Sequence, residues 1–198
     1  LVTQPAELEP EQVADLLYTV QALVQTIGVS QGLLQLGNIR FDVNVSIAED
    51  GIQLTAPVEI KNLNSFRFAR KAISSEMDRQ MKGLKGEDQF RKVTRRFVAG
   101  SSETGFMRDK ETHAEYRFFP EPDLPWIHLT GKEIASRRYS LPLSLRERHI
   151  LLHKQWRLDP DICEFLVFNP SYYEYFMSVK KSLKGAEFLG KWAMHDFR

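Results

Sequence analysis

One stretch of the chain decides the fold: NIRFDVNVSI, residues 38–47. Apolar side chains occupy every odd position from Ile39 to Ile47, and polar side chains occupy every even position from 38 to 46. A period of two predicts a β-strand with one face in a core and the other face polar. A turn at residues 48–51 and a second alternating run at Val58–Lys61 then predict an antiparallel pair of strands.

Helices and short strands are predicted around this pair. An apolar stripe with helical spacing predicts a helix over about residues 10–27, and Asn64 or Ser65 caps a second helix that runs to about Lys82. Short strands are predicted at Val93–Val98, Phe106–Arg108, Glu115–Phe119 and Trp126–Leu129.

After Gly131 the strand patterns stop, and helices are predicted at about 145–156, 161–168, 171–183 and 186–195. The predicted fold class is α+β: a mainly antiparallel sheet with flanking helices, followed by an all-α module. We place the sheet domain at residues 1–131, a linker at 132–143 and the helical module at 144–198.

The composition is that of a globular chain of 198 residues, 42% of them hydrophobic. No apolar run approaches the roughly 20 residues of a membrane span, so no membrane association is expected. Cys163 is the only cysteine, which excludes an intramolecular disulfide and a cysteine-built zinc site. Residues 1–64 carry two basic and eight acidic side chains, whereas residues 65–198 carry 25 and 18. The basic remainder fits a polyanionic partner.

The polar positions of the two paired strands form the first candidate site. Its members are Arg40, Asp42, Asn44, Ser46, Glu59 and Lys61. Two carboxylates without neighbouring cysteine or histidine are hard oxygen ligands, which suit magnesium. The wet face of a half-exposed antiparallel sheet explains the same pattern, and the pattern alone favours this second interpretation.

Two further clusters stand out. The first crowds the entry of the second helix, where free amides favour anions, although an asparagine-rich cap explains it equally well; it comprises Lys61, Asn62, Asn64 and Arg67. The second is a loop at Arg117–Pro125, in which three prolines hold Glu121 and Asp123. A rigid functional loop and a proline-rich linker both fit this loop. The sequence contains no P-loop, GxGxxG, GxSxG or HExxH motif.

Several segments together resemble the GatB/GatE family, in order and spacing. They are GNIRFDVNVS at 37–46, EIKNLNSFR at 59–67, MRDKE at 107–111 and YRFFPEPDLP at 116–125. The helical end, with YEYF at 173–176 and KWA at 191–193, resembles the beginning of the family's helical tail. The resemblance covers nearly the whole chain and implies a cradle-type body for the sheet domain.

The resemblance also implies an activity. It is that of the GatB-type subunit of glutamyl-tRNA(Gln) amidotransferase, which repairs mischarged Glu-tRNA(Gln). ATP activates the glutamyl side chain, and ammonia then converts it to the amide. The implied cofactors are Mg²⁺ and ATP. The implied partners are an amidase subunit of the GatA type, which supplies the ammonia, and a small bridging subunit of the GatC type.

The family motifs assign roles by position. Asp42 and Glu59 are the implied magnesium ligands, and these two residues with Lys61 form the implied catalytic set. The implied ATP- or tRNA-binding residues are Arg40, Asn44, Asn62, Asn64, Arg67, Arg117, Glu121 and Asp123. The sequence diverges from those of bacterial members, for example at Phe41, where bacterial members often have cysteine. This divergence favours a mitochondrial matrix location. Bacterial cytoplasm is the alternative.

Some family features are absent from this sequence. Family members begin with a segment that supplies further acidic and histidine ligands, and they end in a tRNA-binding tail. We therefore expect this chain to be a fragment that is inactive on its own. A catalytically silent tRNA-binding or scaffold relative of the same fold is the alternative to an active ligase subunit.

Overall fold

The computed structural model describes residues 1–85, 91–98, 100–109, 122–179 and 185–196. The chain divides into two compact units, Leu1–Tyr18 with Leu33–Arg117 and Thr19–Gly32 with Phe118–Arg198. The helix α1, Pro10–Thr26, begins in the first unit and ends in the second. The other elements of the first unit are β1 (Val43–Val45), β2 (Ala48–Glu49), β3 (Ile52–Gln53), β4 (Val58–Lys61), α2 (Phe66–Lys85), β5 (Val93–Val98) and β6 (Glu103–Asp109).

The deciding stretch keeps its predicted alternation. Every even position from 38 to 46 is exposed, and every odd position from Ile39 to Ile47 is half-buried or buried. Only β1 within this stretch forms a ladder, and Val45 is its buried residue. A small hairpin of β2 and β3 follows, and the chain then returns as β4, antiparallel to β1 as predicted.

The main sheet has the strand order β1-β4-β5-β6. The pairs β1–β4 and β5–β6 are antiparallel, whereas β4 and β5 are parallel. A parallel pair needs a crossover, and α2 lies in the connection between β4 and β5. The side chains of one sheet face pack with α2 in a single core that includes Ile60, Phe66, Ala69, Ile73 and Phe97. The observed class is therefore α+β, as predicted.

The second unit is mainly helical. Its helices are α3 (Gly131–Ser140), α4 (Leu145–Ile150), α5 (Pro160–Phe168), α6 (Pro170–Val179) and α7 (Ala186–Asp196). A π-helical turn at Leu151–Gln155 follows α4, so the single helix predicted over 145–156 has two parts. Leu152, Ile162, Leu166 and Phe176 are fully buried in an apolar core. Across the described ranges no helix is long and apolar enough to cross a membrane.

The segment before α4 forms one helix and no strand in its described residues. The strand predicted at Trp126–Leu129 is wrong: this segment has no ladder partner among the described residues, and its apolar side chains are exposed. α3 occupies most of the predicted linker, because Thr130 and Glu133 form a capping box that starts a helix there. The strand predicted at Glu115–Phe119 lies outside the described residues, as does the predicted helix beyond Val179.

Candidate functional site

The register of the sheet brings polar side chains of three strands onto one face. Asn44 pairs with Glu59, and Glu59 pairs with Thr94 on β5. Lys61 pairs with Arg96 in the next polar row. Residues that are directly opposite in a ladder point to the same face of a sheet. This face is the one opposite α2, because the intervening Ile60 lies in the core with that helix.

The two predicted carboxylates converge on one ammonium group. Lys61 Nζ lies 3.4 Å from Glu59 Oε1 and 3.9 Å from Asp42 Oδ2. The side chain of Glu59 is 17% exposed, that of Lys61 26% and that of Asp42 37%, so the group is half-buried yet reachable from solvent. Thr94 Oγ1 donates a hydrogen bond of 3.3 Å to Glu59 Oε2. Asp42 and Glu59 therefore share one face and one cation.

Three residues of this face were not predicted from the sequence. Thr94 is buried and binds Glu59, and Arg96 is exposed opposite Lys61. Arg108 on β6 is exposed opposite Thr94. The alternation of β5 is weak, and a register shift between Thr94 and Arg95 breaks the ladder with β6. The sequence gives no signal that β5 lies beside β4. These three side chains could therefore not be assigned to the site from the sequence.

The helix entry lies immediately after the site strand. Asn62 follows Lys61 with a φ of 64°, a left-handed conformation that asparagine tolerates better than most residues. Ser65 Oγ then accepts a hydrogen bond of 3.1 Å from the Phe68 N–H, so Ser65 is the cap of α2. Asn62, Asn64 and Arg67 are exposed at this entry. The arrangement is a capped helix start with polar side chains directed to solvent.

Four further site residues were predicted from the sequence. Arg40 is exposed and precedes β1, and Asp123 is exposed in the second unit. Arg117 and Glu121 lie outside the described residues. The roles suggested for these four residues stay predictions.

The donor set at Lys61 fits a magnesium ion in its chemistry. Carboxylate oxygens are the ligands that Mg²⁺ prefers, and one or two carboxylates with water and substrate phosphates usually suffice. The ammonium of Lys61 shows that both carboxylates face one position where a cation is stabilised. In the part of the chain that the structure describes, no group of three or more His, Cys, Asp or Glu side chains is placed to hold a metal ion by itself.

The fold and this face define a class of protein. It is an α+β protein whose sheet presents converging carboxylates and cations on the face away from its helix, with an additional helical unit. The chain belongs to the GatB/GatE catalytic domain family, whose model matches residues 1–135.

Curated relatives agree with this assignment. The chain is 36% identical over 197 residues to the B subunit of the aspartyl/glutamyl-tRNA(Asn/Gln) amidotransferase of a Thermus thermophilus strain, covering 99% of this chain and 42% of that protein. It is 41% identical over 143 residues to the chloroplastic/mitochondrial B subunit of the glutamyl-tRNA(Gln) amidotransferase of Physcomitrium patens, covering 72% of this chain and 25% of that protein. The chain thus spans about two fifths, or less, of the length of these relatives.

Proposed function

We propose that the protein to which this chain belongs is the ATP-dependent GatB-type subunit of a glutamyl-tRNA(Gln) amidotransferase. The observation that supports the proposal is the convergence of Asp42 and Glu59 on Lys61, on an open face of a domain of the GatB/GatE family. The substrate is mischarged Glu-tRNA(Gln), and the product is Gln-tRNA(Gln). In this proposal the protein is a ligase subunit that serves protein biosynthesis.

The proposed reaction has two steps. First, an oxygen of the glutamyl side-chain carboxylate attacks the γ-phosphorus of ATP, the bond to the β-phosphate oxygen breaks, and ADP leaves. Ammonia then attacks the acyl carbon, phosphate leaves with the carbon–oxygen bonding pair, and the nitrogen loses a proton to give the amide. A carboxylate needs this activation because its oxygen is a poor leaving group. Neither step requires a protein nucleophile, so catalysis depends on positioning and charge neutralisation.

The residues of the sheet face divide these tasks in the proposal. Asp42 and Glu59 would hold Mg²⁺, which supplies charge neutralisation at phosphate oxygens when bound. Lys61 supplies a mobile positive charge between the carboxylates and the phosphates. Arg96 adds a second cation in the same row of the sheet. The proposed contacts to ATP or tRNA come from Arg40, Asn44, Asn62, Asn64, Arg67, Arg117, Glu121 and Asp123.

We further propose that the protein works in a complex with two other subunits. Ammonia comes from an amidase subunit of the GatA type, and a small subunit of the GatC type bridges the two. The proposed compartment is the mitochondrial matrix, with bacterial cytoplasm as the alternative. The relatives include a bacterial protein and a chloroplastic/mitochondrial one, which supports an organelle or a bacterial cell as the location.

The test is alanine substitution of Asp42 and of Glu59 in the full-length protein, assembled with its partner subunits. The assay is ATP-dependent amidation of Glu-tRNA(Gln) with free ammonia supplied, so the glutaminase step is bypassed. Each substitution should lower amidation roughly a hundredfold or more, because charge neutralisation of a transferring phosphoryl group contributes several kcal/mol. Binding of tRNA should change little, because many cationic contacts contribute to it.

Glu49→Ala is the matched control. Glu49 is an exposed carboxylate on β2 of the same unit, outside the polar face, and its loss should leave amidation unchanged. If Asp42→Ala and Glu59→Ala also amidate normally, the two carboxylates are only the wet face of a sheet. If the wild-type complex itself does not amidate Glu-tRNA(Gln), the chain belongs instead to a catalytically silent tRNA-binding or scaffold protein of the same fold.

A further inference from the structure

A buried polar cluster lies on the face of the sheet opposite the candidate site. At its centre is Glu76 of α2, whose carboxylate is fully buried. Arg79 donates to it through Nε and Nη2, the latter at 2.6 Å, and Thr104 Oγ1 of β6 donates at 2.8 Å. Arg95 Nε of β5 lies 3.3 Å from the same carboxylate. Glu76 therefore connects α2 to β5 and β6.

Gln80, one helical turn further along α2, is also fully buried and connects the cluster to the other edge of the sheet. Its Nε2 donates to the Val45 carbonyl of β1 at 3.1 Å and to Glu76 Oε1 at 2.9 Å. Its Oε1 accepts from Thr55 Oγ1 at 2.5 Å, and Thr55 Oγ1 accepts from the Ile47 N–H at 2.7 Å. Only an uncharged amide satisfies this combination of donors and acceptors.

The contacts of this cluster reach both strands that flank β4, which carries Glu59 and Lys61. On one side, Gln80 binds the carbonyl of Val45, the residue next to Asn44. On the other side, Glu76 contacts Arg95, the residue next to the Thr94 that binds Glu59. Successive side chains point to opposite faces of a strand. A contact that fixes Val45 or Arg95 on one face therefore also fixes the position of Asn44 or Thr94 on the site face.

Stability alone does not explain so many buried polar groups. Replacing a buried ionic cluster by well-packed apolar side chains is often neutral or stabilising, whereas a fully satisfied polar network specifies one arrangement. We propose that Glu76 and Gln80 are positioning residues, which hold β1 and β5 against β4 so that Asp42, Glu59 and Lys61 keep their mutual geometry. This inference rests on the proposed function of that face.

The decisive variant is Gln80→Met, which keeps the length of the side chain and removes its donors and acceptor. The first readout is the dissociation constant of Mn²⁺ for the full-length complex, measured by electron paramagnetic resonance. The second is the Mg²⁺ concentration that gives half-maximal amidation with ammonia. Loss of a group that orients metal ligands typically weakens metal binding tenfold to a hundredfold. Because Gln80 acts through the backbone of β1, we expect an increase of about tenfold in both the Mn²⁺ dissociation constant and the Mg²⁺ requirement, with rate recovered at high Mg²⁺.

Ile73→Val is the matched control, because Ile73 is a buried apolar residue of the same helix. It should lower the melting temperature and leave both metal readouts at their wild-type values. Should Gln80→Met fail to fold, Thr104→Val and Thr104→Ser replace it. Valine removes the hydroxyl that donates to Glu76 and should weaken metal binding, whereas serine keeps the hydroxyl and should restore it.

Two results would overturn the inference, and they can be told apart. If Gln80→Met and Thr104→Val lower the melting temperature like Ile73→Val but bind Mn²⁺ as the wild type does, the cluster is structural only. The proposed function then stands if Asp42→Ala and Glu59→Ala still abolish Mn²⁺ binding in the same titration. If those two variants bind Mn²⁺ normally, the proposed metal-binding role of Asp42 and Glu59 is rejected together with the positioning role, and the amidation assay decides the proposed function separately.

Discussion

The two units of the chain fill their interiors in different ways. The sheet unit buries Thr55, Glu76, Gln80, Thr94 and Thr104 beside its apolar core. The core of the helical unit consists of apolar side chains and a tyrosine. Arg148 is the one charged residue that the described part of this unit buries, and it stacks on the Tyr173 ring at 4.1 Å.

The polar and the apolar interior differ in how strictly each defines the relative positions of its helices and strands. Apolar packing tolerates substitutions of similar volume, so it defines a shape better than it defines a register. A hydrogen-bonded polar network is satisfied in one arrangement only, and each partner that is lost leaves a buried group without compensation. The sheet unit, which carries the candidate site, is the unit that depends on such a network.

The largest effect should come from Glu76→Ala. The variant leaves the guanidinium of Arg95, and the buried hydroxyl of Thr104, without their shared carboxylate. Breaking a buried charge cluster by removing one partner costs about 3–5 kcal/mol. Urea unfolding of the full-length protein at neutral pH, with hydrogen exchange of β5 and β6 peptides, measures this loss. A loss below about 1 kcal/mol would mean that the stability of the sheet unit does not depend on its buried polar network.

The same variant predicts a pH dependence. Burial raises the pKa of the Glu76 carboxyl, but the hydrogen bonds from Arg79, Gln80 and Thr104 outweigh burial and hold the pKa below its ordinary value. A lowered pKa in the folded state contributes stability that is complete above the ordinary carboxyl pKa and is lost as the pH falls through the folded-state value. The difference in unfolding free energy between wild type and Glu76→Ala should therefore shrink in acid. A difference that stays constant down to the folded-state pKa would contradict this assignment.

An intermediate effect is expected in the helical unit from Gly190→Ala. A Cβ at Gly190 would lie 2.6 Å from Ile162 Cγ2, so α7 or Ile162 must shift. Overpacking of a core costs about 1–3 kcal/mol, which exceeds the gain of up to about 1 kcal/mol in helix propensity. Urea unfolding measures the net loss. In an Ile162→Ala background the cost of Gly190→Ala should fall, because the clashing methyl group is gone.

Gly131→Ala is the control for this prediction. Gly131 begins α3, and an added Cβ there meets no atom within 4 Å. Its substitution should therefore leave stability unchanged or slightly raised. Equal losses at Gly131 and Gly190 would show that the close approach of α5 and α7 does not limit packing in this unit.

Patterns within single elements were predictable from the sequence. The alternation at 38–47 and the antiparallel partner Val58–Lys61 are both observed, since the alternation is a local pattern and the two strands follow closely along the chain. α1 begins at Pro10, and α5 begins at Pro160, one residue before the predicted start, because proline suits the first helical turn. The face shared by Asp42 and Glu59 follows from the same local period.

Relations between distant elements were not predictable. The parallel pairing of β4 with β5 across α2 has no local signal, and it brings Thr94 and Arg96 to the candidate site. The burial of Glu76 was also missed, although Glu76 lies three residues after the buried Ile73 and four before the buried Gln80 on the same helix. A charged residue at such a position is usually a surface residue, and only its partners on β5 and β6 explain its burial.

The smallest effect should come from the helix caps, where the two units become alike. Ser65 caps α2 through the bond to the Phe68 N–H, and Asp159 Oδ1 caps α5 by accepting from the Asp161 N–H at 3.0 Å. A cap satisfies amides that the helix itself leaves unpaired, so its contribution depends on the first turn and not on the core beneath it.

Ser65→Ala should therefore cost about 1 kcal/mol, and Asp159→Ala a loss of the same order, although the two interiors differ. Ser65→Asp keeps an acceptor at this position and should retain most of the stability. Urea unfolding, with hydrogen exchange at the first turns of α2 and α5, separates the two sites. If Ser65→Ala cost several times more than Asp159→Ala, the entry of α2 would be coupled to the buried network, and the contrast between the units would extend from their cores to their helix ends.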